Sequence, residues 1–192
     1  MLPLFGSERL SVVSWLHPGK GYHETRLKAT DPNQLCLECG FCCNGVIFAD
    51  VKLQRGDDAA SLTSLGIRIS GGRFRQPCSA WKDCRCQIYS DRPKYCRQFE
   101  CLLLQSLRGG EVEYQAALGT VRLAQSKANE VHRLLGELGD GDEQLNLRKR
   151  FQRTTKRIEA AESNRERAAL YSELTLAFHE LDQMLRGSFY DG

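Results

Sequence analysis

No apolar run in this chain approaches the roughly eighteen residues needed to cross a bilayer, so no membrane-spanning segment is expected. A secretory leader is missing too. Met1-Leu2-Pro3-Leu4-Phe5 is too short for an apolar signal core, and Ser7, Glu8 and Arg9 interrupt it at once. The chain therefore reads as cytoplasmic. No glycine-rich cofactor loop follows a predicted strand, and Gly19-Lys20-Gly21 is too weak a substitute, which disfavours a catalytic reading such as methyl transfer. Histidine is scarce: His17, His23, His132 and His179 are scattered, and none stands at a ligand-like spacing from cysteine. His132 and His179 fall on predicted helices and are expected to face solvent or a partner. His23 with Glu24 is the weaker candidate for an additional ligand. Neither sign of charge dominates, since the net charge is +3. With 41% hydrophobic and 27% charged residues, the 192-residue chain suits one domain, or a small domain with an appendage.

Cysteine is what the chain has in excess. There are nine, all between Cys36 and Cys101. Four are packed into Cys36-Leu37-Glu38-Cys39-Gly40-Phe41-Cys42-Cys43, and Cys78, Cys84, Cys86, Cys96 and Cys101 follow. Disulfides, metal ligation and reactive thiols compete as explanations. Disulfide frameworks belong to secreted chains and usually to even counts, so metal ligation is favoured. A Cys-x-x-Cys turn brings two thiolates to one metal and leaves backbone amides free to face the sulfurs. Cys36, Cys39 and Cys42 form two overlapping turns of this kind, a triple that recurs in iron–sulfur proteins, although zinc accepts such turns as well. Cys42 and Cys43 are adjacent, and neighbouring side chains diverge. They reach two metals more easily than one, which predicts a polynuclear cluster or two nearby sites.

The chain changes grammar after Arg108-Gly109-Gly110. Apolar residues then recur at alternating spacings of four and three. The first set is Ala117, Val121, Ala124, Ala128, Val131, Leu135 and Leu138. The second is Leu147, Phe151, Ile158 and Ala161, with Thr154 filling one position, and the third is Leu170, Leu174, Ala177, Leu181 and Met184. That spacing predicts three amphipathic helices. Gly136 and Gly139 are expected to end the first, an Asp of 140–142 to cap the second, and Ser163-Asn164 to separate the second from the third. Arg148, Lys149, Arg150, Arg153, Lys156 and Arg157 make the second helix basic, and a solvated or partner-facing surface is expected there. No aromatic platform accompanies the run, so nucleic acid is disfavoured. Positive charge exceeds negative over residues 1–110, but ligating thiolates would alter that balance.

Ahead of the helices the reading is irregular α+β. Val46-Ile47-Phe48-Ala49 is expected to be a short strand, and Asp57-Asp58 to open a brief helix through Leu65. Ile67-Arg68-Ile69 reads as a strand, with a Gly71-Gly72 turn leading to Phe74. His17-Pro18 and Asp31-Pro32 mark loops. The expected organisation is a leader over residues 1–35, a cysteine-cluster metal-binding domain over 36–108 and a helical hairpin or three-helix bundle over 111–187.

The second cysteine group runs Pro77-Cys78, then Cys86-Gln87-Ile88-Tyr89-Ser90-Asp91-Arg92-Pro93-Lys94-Tyr95-Cys96-Arg97-Gln98-Phe99-Glu100-Cys101. Together with the first group it resembles the zinc- or iron-chelating cysteine-cluster family, CxxCxxCC, often called YkgJ-like. The family pattern continues with Pro-Cys, then Cys-x-Ile-Tyr-x-x-Arg-Pro-x-x-Cys-Arg-x-Phe-x-Cys. Every element has a counterpart here, over about a third of the chain. The resemblance implies eight metal ligands: Cys36, Cys39, Cys42, Cys43, Cys78, Cys86, Cys96 and Cys101. Cys84 is extra, as a substitute ligand, a free reactive thiol or a buried small residue. Ile88 and Tyr89 would pack under the ligand loops, and Pro93 would fix the turn before Cys96. Arg92 and Arg97 would neutralise thiolate charge or contact cluster sulfurs, the alternative being surface ion pairs with Asp91 or Glu100.

Three functions compete. The first is an iron–sulfur cluster, or a polynuclear iron or zinc site, with a redox, sensing or accessory role for a protein partner met through the C-terminal helices. The second is a zinc-stabilised interaction module. The third is a small metal-dependent modifying enzyme such as a methyltransferase, because the resembled domain also occurs in flagellin lysine methylases.

Overall fold

A computed structural model describes residues 31–83, 85–161 and 165–190. The readings at His17, His23, residues 19–21, Cys84 and the Ser163-Asn164 junction lie outside the described residues.

Asp31-Pro32 opens a helix rather than a loop. The Asp31 carboxylate accepts the Asn33 amide, and Pro32 occupies the first turn of α1 (Pro32–Cys39), where its missing N–H is no loss. Gly40 closes α1 at φ +70°, a conformation that favours glycine. Val46–Ala49, expected as a strand, is instead the irregular exit of the cysteine loop. Val46 and Ile47 pack sideways onto the helical core, so their burial comes without a ladder. Pairing begins one residue later, in β1 (Asp50–Lys52). Asp58 caps the short α2 (Ala59–Ser64), as its spacing predicts. Of Ile67-Arg68-Ile69 only Ile69 enters a strand, β2 (Ile69–Ser70), which turns through Gly71-Gly72 into β3 (Arg73–Arg75). The antiparallel order is β1-β3-β2, with Val51 and Ile69 both opposite Phe74. A second ribbon pairs β4 (Trp81–Lys82) with β5 (Arg85–Cys86), followed by α3 (Lys94–Gln98) and α4 (Leu102–Arg108).

The tail folds as α5 (Tyr114–Glu137), α6 (Leu147–Glu159) and α7 (Arg165–Ser188). Together with the small sheets this makes a mixed α+β protein with a helical C-terminus. The whole first periodic set, Ala117 to Leu138, is buried. Its alanines let α7 approach closely, and Leu174, Leu181, Leu185 and Phe189 fill that contact. Ala161 departs from its expected register: it lies beyond the end of α6 and is exposed. The core cluster also takes in Leu35, Phe41 and Leu103, so the helices extend the support beneath the cysteine loops. A smaller second cluster gathers Val51, Leu62, Ile67, Phe74, Ala80 and Ile88 around the sheet.

Asn146, not an Asp, caps α6, by accepting the Lys149 amide. Asp140 has another task. It is buried, accepts both oxygens' worth of bonds from Arg153, and takes a further bond from Arg150 at 3.2 Å and one from the Thr154 hydroxyl at 3.3 Å. Arg157 meanwhile donates to the carbonyls of Leu138 and Gly139 at the end of α5. Much of the basic helix expected to face solvent therefore serves an internal anion and an open helix end. His132 likewise turns inward, its Nδ1 lying 2.8 Å from Arg150, and burial followed by the Arg150 charge lowers its pKa. His179 is exposed, as expected.

Burial alone would raise the Asp140 carboxyl, but the bonds from Arg153 and Arg150 outweigh it and hold the group below the usual carboxylate range. A depressed folded pKa confers stability above the ordinary carboxylate pKa, and that stability is lost as pH falls through the folded value. Asp140→Asn strands Arg150 and is expected to destabilise the tail by about 3–5 kcal/mol in denaturant melts followed by helical circular dichroism. The deficit should shrink in acid, where the parent carboxyl is itself protonated.

Candidate metal centre

Helical geometry puts Cys36 and Cys39 one turn apart on the same face of α1. At Gly40 the chain reverses, and its carbonyl accepts the amides of Cys43 and Asn44 at 2.8 and 2.9 Å, which folds Cys42 and Cys43 back toward that face. The reversal leaves no room at residue 40. A methyl group there would stand 2.2 Å from the Trp81 indole. The Cys78 amide donates to the Cys43 carbonyl at 2.8 Å, tying the second cysteine group to the first. Cys86 lies opposite Trp81 in the β4–β5 ribbon. Cys96 sits on α3 beyond Pro93, beside packed rings of Phe48, Tyr95 and Phe99. Cys101 holds the cap position of α4, and the Leu102 amide is fixed to the Phe189 carbonyl of the tail.

These segments enclose a cavity of about 90 Å³. Seven of the eight described cysteines line it: Cys36, Cys39, Cys42, Cys43, Cys86, Cys96 and Cys101. Cys78 stands behind the wall, joined to it through Cys43. Most other walls are apolar, among them Leu35, Phe41, Val51, Leu104, Val121 and Phe189. Of the described lining residues, Arg92 carries the one formal charge.

All eight described cysteines are free thiols. Burial, reinforced by neighbouring sulfurs, pushes Cys36 up to about 11 and Cys96 up to about 12. Burial likewise pushes Cys39 up to about 12, and it raises Cys42, Cys78 and Cys101. The Cys43 thiol donates a hydrogen bond to Cys86; this bond, then burial, raises Cys43, and the same bond lowers Cys86 to about 6. Backbone amides counter burial at four sulfurs: Phe41 at Cys39, Ala80 and Trp81 at Cys78, Ile88 at Cys86, and Leu104 and Leu103 at Cys101. Arg92 also favours the ionised form of Cys36, Cys86 and Cys96. Its guanidinium lies 3.5 Å above the Tyr89 ring and donates to the Tyr89 carbonyl at 2.7 Å.

Among the described residues no three Cys, His, Asp or Glu side chains close around a point that would hold a single ion. The donor chemistry nevertheless fits a thiophilic metal. The donors are soft sulfur, which suits zinc or iron–sulfur clusters rather than magnesium or calcium. Amides face the sulfurs, as they do around metal-bound thiolates. A water-sized sphere needs only about 10–15 Å³, so the cavity has room for several atoms. The eight cysteines would hold such a group, and a cation among them would offset the burial that keeps the thiols protonated.

Arg97, the other candidate near the sulfurs, lies exposed on α3 and does not line the cavity. Glu100 pairs with Arg108, which also favours ionisation of Cys36. Sequence reasoning missed Arg108, the Trp81 wall and Gln125 of α5. The Gln125 amide donates to the carbonyls of Glu38 and Cys39 at 2.8 and 3.2 Å. Tyr114 donates to the Glu38 carboxylate at 3.1 Å. None of these residues carries a local signal, because each acts through a segment distant in the chain.

Residues 35–119 match the CxxCxxCC family, described as a putative zinc- or iron-chelating domain. The CxxCxxCC stretch runs from α1 into the first turns of α5 and contains all eight cysteines of the candidate centre. No curated protein and no solved structure matches the chain.

Two outcomes follow from this geometry. Gly40→Ala drives a methyl group into Trp81 at a left-handed position, and an overpacking loss of about 1–3 kcal/mol is expected, read as a lower melting temperature and weaker metal retention. In metal-free protein near neutral pH, iodoacetamide should label Cys86 ahead of Cys39, because the bond from Cys43 lowers the Cys86 pKa while burial raises that of Cys39. Peptide mapping after brief labelling checks the order.

Proposed function

We propose that the chain holds an iron–sulfur cluster, or another polynuclear iron or zinc centre, on Cys36, Cys39, Cys42, Cys43, Cys78, Cys86, Cys96 and Cys101. The carrying observation is an apolar cavity ringed by seven thiols, with the eighth bonded to its wall. The cysteine-rich unit over residues 36–108 is the metal-binding part, and residues 111–187 serve as its helical support and as a surface for a protein partner. The chain works in the reducing cytoplasm, where free thiols persist.

A bound cluster would supply electron transfer or a reversible sensing reaction. The protein's contribution is the environment. Apolar walls exclude water, amides favour the thiolate form, and Arg92 offsets negative charge on both cysteine groups. A redox, sensing or accessory role is supported by the apolar walls around the sulfurs. No helix of the described residues is long and apolar enough to cross a membrane. The arginines of α6 are largely engaged within the chain, which supports a protein partner rather than nucleic acid.

A zinc-stabilised interaction module is the second reading. Its support is the small sheet core, six buried residues under three ligand segments, where metal binding would supply folding energy. Anaerobic purification with elemental analysis, acid-labile sulfide assay and optical and paramagnetic spectra separates the two. Iron with sulfide and visible charge-transfer bands is expected. A colourless protein with stoichiometric zinc and no sulfide selects the module, and a protein free of both metals overturns the chelating reading.

A further inference from the structure

We infer that Gln125 of α5 is a positioning residue for the sulfur site: its side-chain amide pins the end of α1 and so sets where the Cys39 thiol points for metal. This rests on the chelating reading above and gives that site a contributor from the helical tail.

The end of α1 needs donors from outside. A helix leaves its last carbonyls without an internal partner. The Gly40 amide closes the ladder on the Cys36 carbonyl, and the Glu38 and Cys39 carbonyls lie beyond that closure. Both are met by one group, the Gln125 amide nitrogen, at 2.8 and 3.2 Å. A primary amide carries two N–H bonds, so one side chain serves two adjacent carbonyls. These carbonyls belong to the two peptides that flank the Cys39 α-carbon. Pinning both planes fixes the direction in which the Cys39 side chain leaves the backbone.

The rest of α5 holds Gln125 in register. Tyr114, Val121 and Gln125 recur at spacings of seven and four, which places them along one side of the helix. The Tyr114 hydroxyl donates to the Glu38 carboxylate at 3.1 Å. Val121, one turn before Gln125, is buried and lines the sulfur cavity. Gln125 itself is half-buried, so water competes less for its two bonds. Carbonyls at a helix end carry partial negative charge, which disfavours thiolates nearby, and the Gln125 N–H groups offset it beside Cys36 and Cys39. Gln125 lies beyond residues 35–119, so the CxxCxxCC stretch does not contain it.

The test is the zinc(II) affinity of the 192-residue chain, measured anaerobically by competition with a chelator. Gln125→Leu keeps the bulk and removes both donors, and an affinity about tenfold weaker or lower still is expected. Gln125→Lys returns N–H donors and should recover most of that loss. Lys127→Ala breaks the ion pair between α5 and Glu180 of α7, two residues along the same helix, and should leave the affinity as in the parent. Melting followed by helical circular dichroism separates positioning from support. Gln125→Leu should lower the melting temperature more in the zinc-loaded chain than in the metal-free one. Should Gln125→Leu lose its helical signal, Gln125→Ala carries the same measurements. Equal lowering in both states with unchanged affinity overturns the inference, as does a loss that Gln125→Lys does not restore or that Lys127→Ala reproduces. A parent chain that binds no zinc removes the chelating reading itself, whereas a parent that binds it with the Gln125 variants unaltered overturns this inference alone.

Discussion

Sulfur withdrawn from water is the constraint around which this molecule is arranged. A buried thiol resists ionisation, and most of the seven around one small apolar space are raised in this way. The chain answers with backbone amides at four sulfurs, one arginine at the wall, and a bond from Cys43 that lowers the Cys86 pKa. Such an environment is poorly balanced without a cation and well matched to one. Aliphatic and aromatic walls supply the low dielectric that makes the compensation strong.

The helical tail provides what a small irregular segment lacks, namely a rigid backing. Phe189 meets Phe41 edge-on at 5.4 Å, and its carbonyl fixes the start of α4 just after Cys101. The Gly45 carbonyl accepts the Leu147 amide at the entry of α6, where a side chain on Gly45 would crowd Asn146 and Pro77. Gln125 holds the two carbonyls at the end of α1. Gln125 of α5, the first residue of α6 and Phe189 just after α7 thus each bond main-chain atoms of the cysteine-rich segment.

Legibility in the sequence followed the range of the forces involved. The α5 stripe was readable because a single long period records a single buried face, and all its members are buried. The cysteine spacing was readable because Cys36, Cys39 and Cys42 lie within two turns. Val46–Ala49 misled because a short apolar run records burial without saying whether a ladder or a neighbouring helix provides it. Asp31-Pro32 reads locally as a loop, although an Asp cap with Pro in the first turn is a helix opening. Trp81 against Gly40, Gln125 against α1 and Arg108 near Cys36 belong to contacts between distant segments, which no local pattern encodes.

The pairing of the α6 arginines within the chain has a wider meaning. A helix that looks, in one dimension, like a magnet for polyanions spends its guanidinium groups on Asp140, Asp142, Asp182 and the carbonyls that end α5. Lys149 and Lys156 stay exposed, yet electrolyte has fewer charges to screen there than the six basic residues suggest. Shape and apolar fit would then weigh more than diffusional steering for any partner of that side.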